Sequence, residues 1–271
     1  MDAEIGIIGG SGFYEFLHNA TTVLPTTPFG SPSAPITVGE VAGRRVAFVP
    51  RHGQRHQFPP HRVNYRANLW ALRSVGVRQV LAPAAVGSLK AEFGPGTFVV
   101  PDQVIDRTWG RKHTVYSAKG KVVHVGFADP YCPRGRAAVL AAADADVQPV
   151  DGGTLVVING PRFSTRAESR MHAALGGTVV GMTGVPEASV ARELAMCYST
   201  VCLVTDHDAG VDGGDAVTHH AVLAQFAGNI ERMKALLTRA IAGLPAYEPD
   251  AAATCSCRHA LDGQELPFEL P

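Results

Sequence analysis

Short β-branched runs alternate with helical stretches along almost the whole chain, and this constrains the fold more than any other feature. Glu4–Ile8, Arg45–Val49, Gln79–Ala82, Thr97–Val100, Thr154–Ile158, Val179–Met182 and Val201–Val204 read as strands. Most are apolar throughout rather than at every second position, as expected of strands covered on both faces. Between them, NYRANLWALRSVG places Tyr65, Leu69 and Leu72 at helical spacing, with Gly76 as the stop. PEASVARELA opens on Pro186, a residue suited to a first helical turn. AVLAQFAGNIERMKALLTRAI reads as a long amphipathic helix. The pattern predicts one α/β domain: a twisted mixed β-sheet flanked by helices, over residues 1–244. Residues 245–271 differ in composition and read as a tail that packs on the domain or on a neighbouring subunit.

Bulk properties exclude several classes. Lys and Arg number 24, matched by 24 Asp and Glu, so the basic excess of a nucleic-acid binder is missing. No apolar run reaches the length of a membrane span, and the start lacks the features of a secretory signal. Five cysteines without framework spacing favour a reducing, cytoplasmic compartment.

The strand at Ile5 runs into GGSGFY, a turn whose backbone N–H groups and Ser11 hydroxyl can donate to a small anion. It departs from the dinucleotide fingerprint, and no crossover helix follows it, so a nicotinamide or flavin cofactor is not expected. A turn without a ligand is the alternative. PRHGQRHQFPPH adds Arg51, whose planar fork suits phosphate, and His52 as a second donor. LAPAAVGSL ends a strand in small residues that let a ligand approach the backbone. One shared anion site accounts for all three loops.

Two further segments bear on specificity. NGPRFSTRAES presents Phe163 on a Gly-Pro turn, where it can stack on a base or fold into the core. VTDHDAG puts Asp206 and Asp208 on one side of an extended segment, at a strand's C-terminal end. That end is where open α/β sheets bind ligands; a turn or cap pair is the other reading. No third oxygen ligand stands near the pair, so no metal is expected there.

The segments IGIIGGSGFY, TPFGSPSAP, PRHGQRHQFPPHRVNYRANLWAL, AVGSL, DQVIDRT, GPRFSTRAES, MTGVPEASVARE and VTDHDAG occur in this order, followed by a terminal PFELP. Together they resemble the 5′-methylthioadenosine phosphorylases, within the trimeric purine nucleoside phosphorylase family. The resemblance implies phosphorolysis of a purine nucleoside, with inorganic phosphate as co-substrate and no cofactor or metal. It implies a homotrimer with sites at subunit interfaces. It places phosphate against Ser11, Arg51, His52, the Ala85 backbone and Thr183. Met182 would lie under the ribose and Phe163 on the purine. Asp206 would protonate N7, and Asp208 would meet the exocyclic amine. His124 would arrive from a neighbouring subunit at the 5′ pocket, which Phe268 and Leu270 help to close.

Ser164 and Asp206 stand where 6-oxopurine enzymes of the family carry Glu and Asn, which favours adenine. Ala84 stands where relatives often have a hydroxyl for phosphate. His219, near Val222 and Leu223, replaces a small apolar residue of methylthio-specific relatives. It suggests a 5′ pocket that also accepts a hydroxyl or halogen, unless the ring turns to solvent. In the tail, Cys255 and Cys257 can form a strained disulfide or supply two metal ligands. With no second ligand pair evident in the sequence, two reduced thiols and no zinc are expected.

Overall fold

The computed structural model describes residues 3–10, 13, 16–211, 217–248 and 255–271, the His219 side chain excepted. Eleven strands form one mixed sheet. In chain order the elements are β1 (Ile5–Gly9), β2 (His18–Val23), β3 (Ile36–Val41), β4 (Arg44–Pro50), α1 (Tyr65–Ser74), β5 (Gln79–Ser88), β6 (Phe98–Val100) and β7 (Gln103–Arg107). There follow α2 (Pro133–Ala141), β8 (Val150–Asp151), β9 (Thr154–Ile158), α3 (Arg166–Ala174), β10 (Val179–Gly181), α4 (Gly184–Glu193), β11 (Cys197–His207) and α5 (His219–Gly243). The main path runs β2-β3-β4-β1-β5-β10-β9-β7, and β11, β6 and β8 branch from β5.

The period-2 geometry of strands sorts the core into two faces. Ile5, Ile7, Leu81 and Leu203 point to one side, against Met233, Leu236, Leu237 and Ile241 of α5 and Val139 of α2. Ile8, Val80 and Ala82 point to the other, against Leu69 and Leu72 of α1 and Ala188 and Ala191 of α4. Burial on both faces explains the unbroken apolar runs. Helix α1 starts where the Asn64 side chain accepts from the Ala67 N–H, and it stops before Gly76, at φ +99°.

Strand β5 is the pivot. β11 pairs with it along its whole length, in parallel. On the other edge, β1 covers only Gln79–Leu81 and β10 only Gly87 and Ser88. Between those two partners, among the described residues, no strand covers that edge of Ala82–Val86. The backbone at Ala85 is thus open to a ligand. Strands β5 and β11 each run well beyond the spans predicted from sequence, and α2, the edge strands β2, β7 and β8 and the internal strand β3 were not expected from it. In the tail, Phe268 packs edge-on to Trp70 and stacks on Tyr116.

Candidate active site

A cavity of 430 Å³ lies at the C-terminal ends of β1, β4, β10 and β11 and along residues 83–87 of β5. Its wall is formed by Gly10, Arg51, His52, Ala84 to Gly87, Met182, Thr183, Asp206 and Asp208. Phe163 and Ser164 enter from the loop before α3, and Val222, Leu223 and Phe226 from α5. The three anion loops and the two specificity segments therefore meet in one place.

At one end, Arg51 is 3% exposed and grips Glu187 with two parallel bonds, Nε to Oε2 and Nη2 to Oε1, both 2.8 Å. Nη2 also donates to the Ile8 carbonyl and Nη1 to the Pro83 carbonyl, so four of its five N–H groups are engaged. Among the described residues, one Nη1 hydrogen remains without a partner. Tyr198 Oη donates to the same Glu187 at 2.8 Å. Burial by itself would weaken the guanidinium's hold on its proton; the paired Glu187 reverses this and raises its pKa above the ordinary value. His52 departs from the sequence expectation. Burial first, then the adjacent Arg51, pushes its imidazole down to about 4, so it is neutral at pH 7. Its Nδ1 lies 2.8 Å from the Phe58 carbonyl, which can only accept. The proton is therefore on Nδ1, and Nε2 offers a lone pair. His52 is an acceptor here, not the second donor inferred from residue type. Thr183 occupies the N-cap position of α4 without capping it, which leaves its hydroxyl to the cavity.

At the other end, a register shift between Val204 and Asp206 in the β5–β11 ladder re-aims the carboxylates. Gly87 makes room for them: a Cβ there would sit 3.0 Å from Asp206 Oδ1 and 3.3 Å from Asp208 Cβ. Burial, with a smaller push from Asp208, raises the Asp206 carboxyl to about 6, against an opposing hydrogen bond from Thr205 Oγ1. Asp208 is 3% exposed, and Ser169 Oγ donates to its Oδ2. Its other oxygen is left to a ligand. Ser164 Oγ is buried in the wall without a hydrogen-bond partner among the described residues.

Match to known proteins is extensive. A family model described as the phosphorylase superfamily covers residues 4–242. The chain belongs to the phosphorylase superfamily. A purine nucleoside phosphorylase of Streptomyces coelicolor is 57% identical over 100% of this chain and 99% of that protein. An S-methyl-5′-thioadenosine phosphorylase of Mycolicibacterium smegmatis is 55% identical over 98% and 99% of the two chains. Among solved structures, a methylthioadenosine phosphorylase from an antarctic soil metagenomic library superposes with a TM-score of 0.87 at 39% identity, covering 96% of this chain and 91% of that one. A mutant adenosine/methylthioadenosine phosphorylase of Schistosoma mansoni in complex with methylthioadenosine gives 0.82 at 38%, over 89% and 91%. This chain is accordingly an enzyme of the pentosyltransferase type, a nucleoside phosphorylase, with the mixed-sheet fold of that group.

Two residues of this phosphorylase escaped the sequence reading. Glu187 is wholly buried in α4 and holds Arg51 in place. Arg111 donates to the carbonyls of Met182 at 2.8 Å, Asn159 at 2.9 Å and Val185 at 2.6 Å. It thus ties the Met182–Val185 turn to the loop that carries Phe163. Gly160, at φ +61°, completes that junction, since a Cβ would fall 2.6 Å from Met182 Sδ.

Other expected residues lie elsewhere. Ser11 is outside the described residues, as is the side chain of His219, although His219 does open α5. His124 is exposed and bonds through its backbone to Gln264, away from the cavity of its own chain. Phe268 packs on Trp70 and Leu270 against the same apolar cluster, and neither lines that cavity of its own chain. The expectation that the tail cysteines stand without a second pair is corrected: Cys255 and Cys257 meet Cys132 and Cys197. His259 pairs with Asp262 and takes no part in that cluster.

Proposed function

We propose that the enzyme cleaves 5′-methylthioadenosine with inorganic phosphate, releasing adenine and 5-methylthioribose 1-phosphate. The observation that carries this reading is Asp206, a carboxyl raised to about 6 inside the same cavity as Arg51, Thr183 and the open Ala85 backbone. Hydrogen phosphate sits against the free Arg51 Nη1 hydrogen, the Ala85 N–H, the Thr183 hydroxyl and Ser11, and gives its own O–H to His52 Nε2. One of its oxygens bonds to the anomeric carbon as the bond from that carbon to N9 breaks. Positive charge develops on the ribose, where the phosphate anion stabilises it, and negative charge on the base. Asp206 neutralises the latter by protonating N7, since the nucleoside over it excludes water and holds its proton in place. The product ester keeps the phosphate's O–H proton and releases it through solvent to restore Asp206. Atoms and charge balance without a cofactor, and phosphate is a co-substrate.

Asp208 accepts from the exocyclic amine of adenine and would repel a 6-oxo group. Phe163 packs on the purine and Met182 under the ribose. Val222 and Leu223 border the 5′ substituent. His124 belongs in this scheme to the site of the next subunit in a homotrimer, and the exposed side chains of Val122 and Trp109 suit such a contact. The tail, through its described residues 255–271, packs on the 1–244 domain, and the setting is cytoplasmic. Among the described residues no helix is long and apolar enough to cross a membrane.

A second reading, adenosine or a 5′-halo-5′-deoxyadenosine as the main substrate, is favoured by His219 at the head of α5 and by likeness to the adenosine/methylthioadenosine phosphorylase of Schistosoma mansoni. Free-base release from methylthioadenosine, adenosine, 5′-chloro-5′-deoxyadenosine and inosine, with and without phosphate, separates the readings. Phosphate-dependent adenine release, fastest from methylthioadenosine, is expected. Faster turnover of adenosine or the chloro compound that reverts in His219→Val would select the second reading. Release from inosine alone would refute both.

A further inference from the structure

Four of the five cysteines converge on a point far from the cavity. The sulfurs of Cys132, Cys197, Cys255 and Cys257 all lie within 4.8 Å of one another. Corner-to-corner separations in a tetrahedral zinc tetrathiolate are about 3.8 Å, from zinc–sulfur bonds of about 2.3 Å. Cys197 Sγ and Cys255 Sγ stand 3.3 Å apart. All four sulfurs thus face one shared centre, instead of forming two separate couples.

The frame behind them is rigid on one side. Cys132 is the N-cap residue of α2, with Pro133 fixing the first turn, and its N–H donates to the Tyr198 carbonyl at 2.7 Å. Cys197 is the first residue of β11, and its N–H donates to the Arg78 carbonyl at 2.9 Å. These two thiols are presented from the core. The Cys-x-Cys of the tail folds over them and buries three of the four. The surroundings suit negative charge on sulfur. Arg192 Nη2 lies 3.7 Å from Cys257 Sγ, and the Arg258 backbone N–H donates to Cys255 Sγ.

We infer that this phosphorylase holds a structural zinc ion in a Cys132–Cys197–Cys255–Cys257 site that pins the tail to the catalytic domain. Four soft sulfur donors clustered about one largely buried centre select zinc over hard cations, and with all four positions of a tetrahedral ion filled they leave none for substrate. Binding converts the four thiols to thiolates and releases their protons to solvent, with no change of oxidation state. The site fastens the segment that carries Phe268 onto Trp70 and Tyr116, so its loss would free residues 255–271.

Metal analysis of the full-length protein, purified under reduction without added metal, tests this directly. About one zinc per chain is expected, falling at least tenfold in the Cys255→Ser/Cys257→Ser variant. Wild-type protein stripped with a zinc chelator should melt about 5 °C lower or more and recover on adding zinc alone. Refilling it with Co²⁺ should produce the thiolate-to-metal charge-transfer bands of a tetrahedral sulfur site, a readout that needs no variant to fold. Absence of metal, with the four cluster cysteines recovered as free thiols after denaturation, would overturn the inference. So would Cys132–Cys197 and Cys255–Cys257 disulfides in peptide maps, or zinc retained by the double variant.

Discussion

The two ends of the cavity are built on opposite electrostatic plans. The acidic end holds a proton more tightly than an ordinary carboxyl: Asp206 is raised to about 6 by burial beside Asp208, and one oxygen of Asp208 accepts from Ser169. The basic end has its charge already matched, because Arg51 is held by Glu187 and two carbonyls and His52 is neutral. A reactive proton can thus be stored at one end, while the other offers an anion a few preset donors and little unpaired positive charge. The contrast teaches that phosphate binding should depend on the placement of individual hydrogens, and base protonation on the removal of water.

The largest effect expected from breaking this contrast comes at the acidic end. Asp206→Asn should lower kcat/KM for adenine release by about 10²–10⁴-fold, the usual worth of a positioned general acid. The same change should help stability at alkaline pH. The native carboxyl binds its proton more tightly than the unfolded one, so its favourable contribution is complete below the ordinary value of 3.8 and is lost as pH rises through about 6. The variant's melting temperature relative to wild type should therefore be higher at pH 8 than at pH 4, and thermal melts at both values would show it.

Glu187→Ala attacks the basic end. It leaves a buried guanidinium unpaired and also removes the partner of Tyr198, so denaturant unfolding should register a loss of about 3–5 kcal/mol. Smaller losses are expected from Thr183→Val. Its hydroxyl caps nothing, so global stability should shift by no more than about 0.5 kcal/mol. The phosphate KM should meanwhile rise by about fivefold to tenfold, the worth of one hydrogen bond. Equal phosphate KM values for the variant and wild type would remove Thr183 from the anion site.

Sequence and structure agree where chemistry is local and part where it is assembled at long range. Ile5–Gly9 and Thr154–Ile158 were legible because apolar runs buried on both faces look alike in any context. The exposed strand His18–Val23 was not, since its pairing with β3 defines it and its own residues carry little signal. Pro83 and Gly87 interrupt the strand pattern within β5, and the neighbouring β11 holds the strand extended through them. In the site, Arg51, Asp206, Asp208 and Phe163 announced themselves by type and by position at strand or turn ends. Glu187 could not, because its meaning depends on an arginine 136 residues away. Arg111 likewise reads as one basic residue among several until the carbonyls 71 and 74 residues on are folded against it. The donor role inferred for His52 failed for the same reason: the Phe58 carbonyl, six residues on, fixes its tautomer.

The central claim is that Asp206 supplies the proton that lets the base leave. Its most direct test is the pH dependence of kcat/KM for phosphate-dependent adenine release from methylthioadenosine, measured between pH 5 and 9 for wild type and Asp206→Asn, with the ionisation of phosphate itself accounted for. The account predicts a wild-type profile that falls with rising pH above about 6, by up to tenfold per unit, and a variant in which that limb is gone. A falling limb that survives unchanged in Asp206→Asn would contradict it and assign the proton to another group.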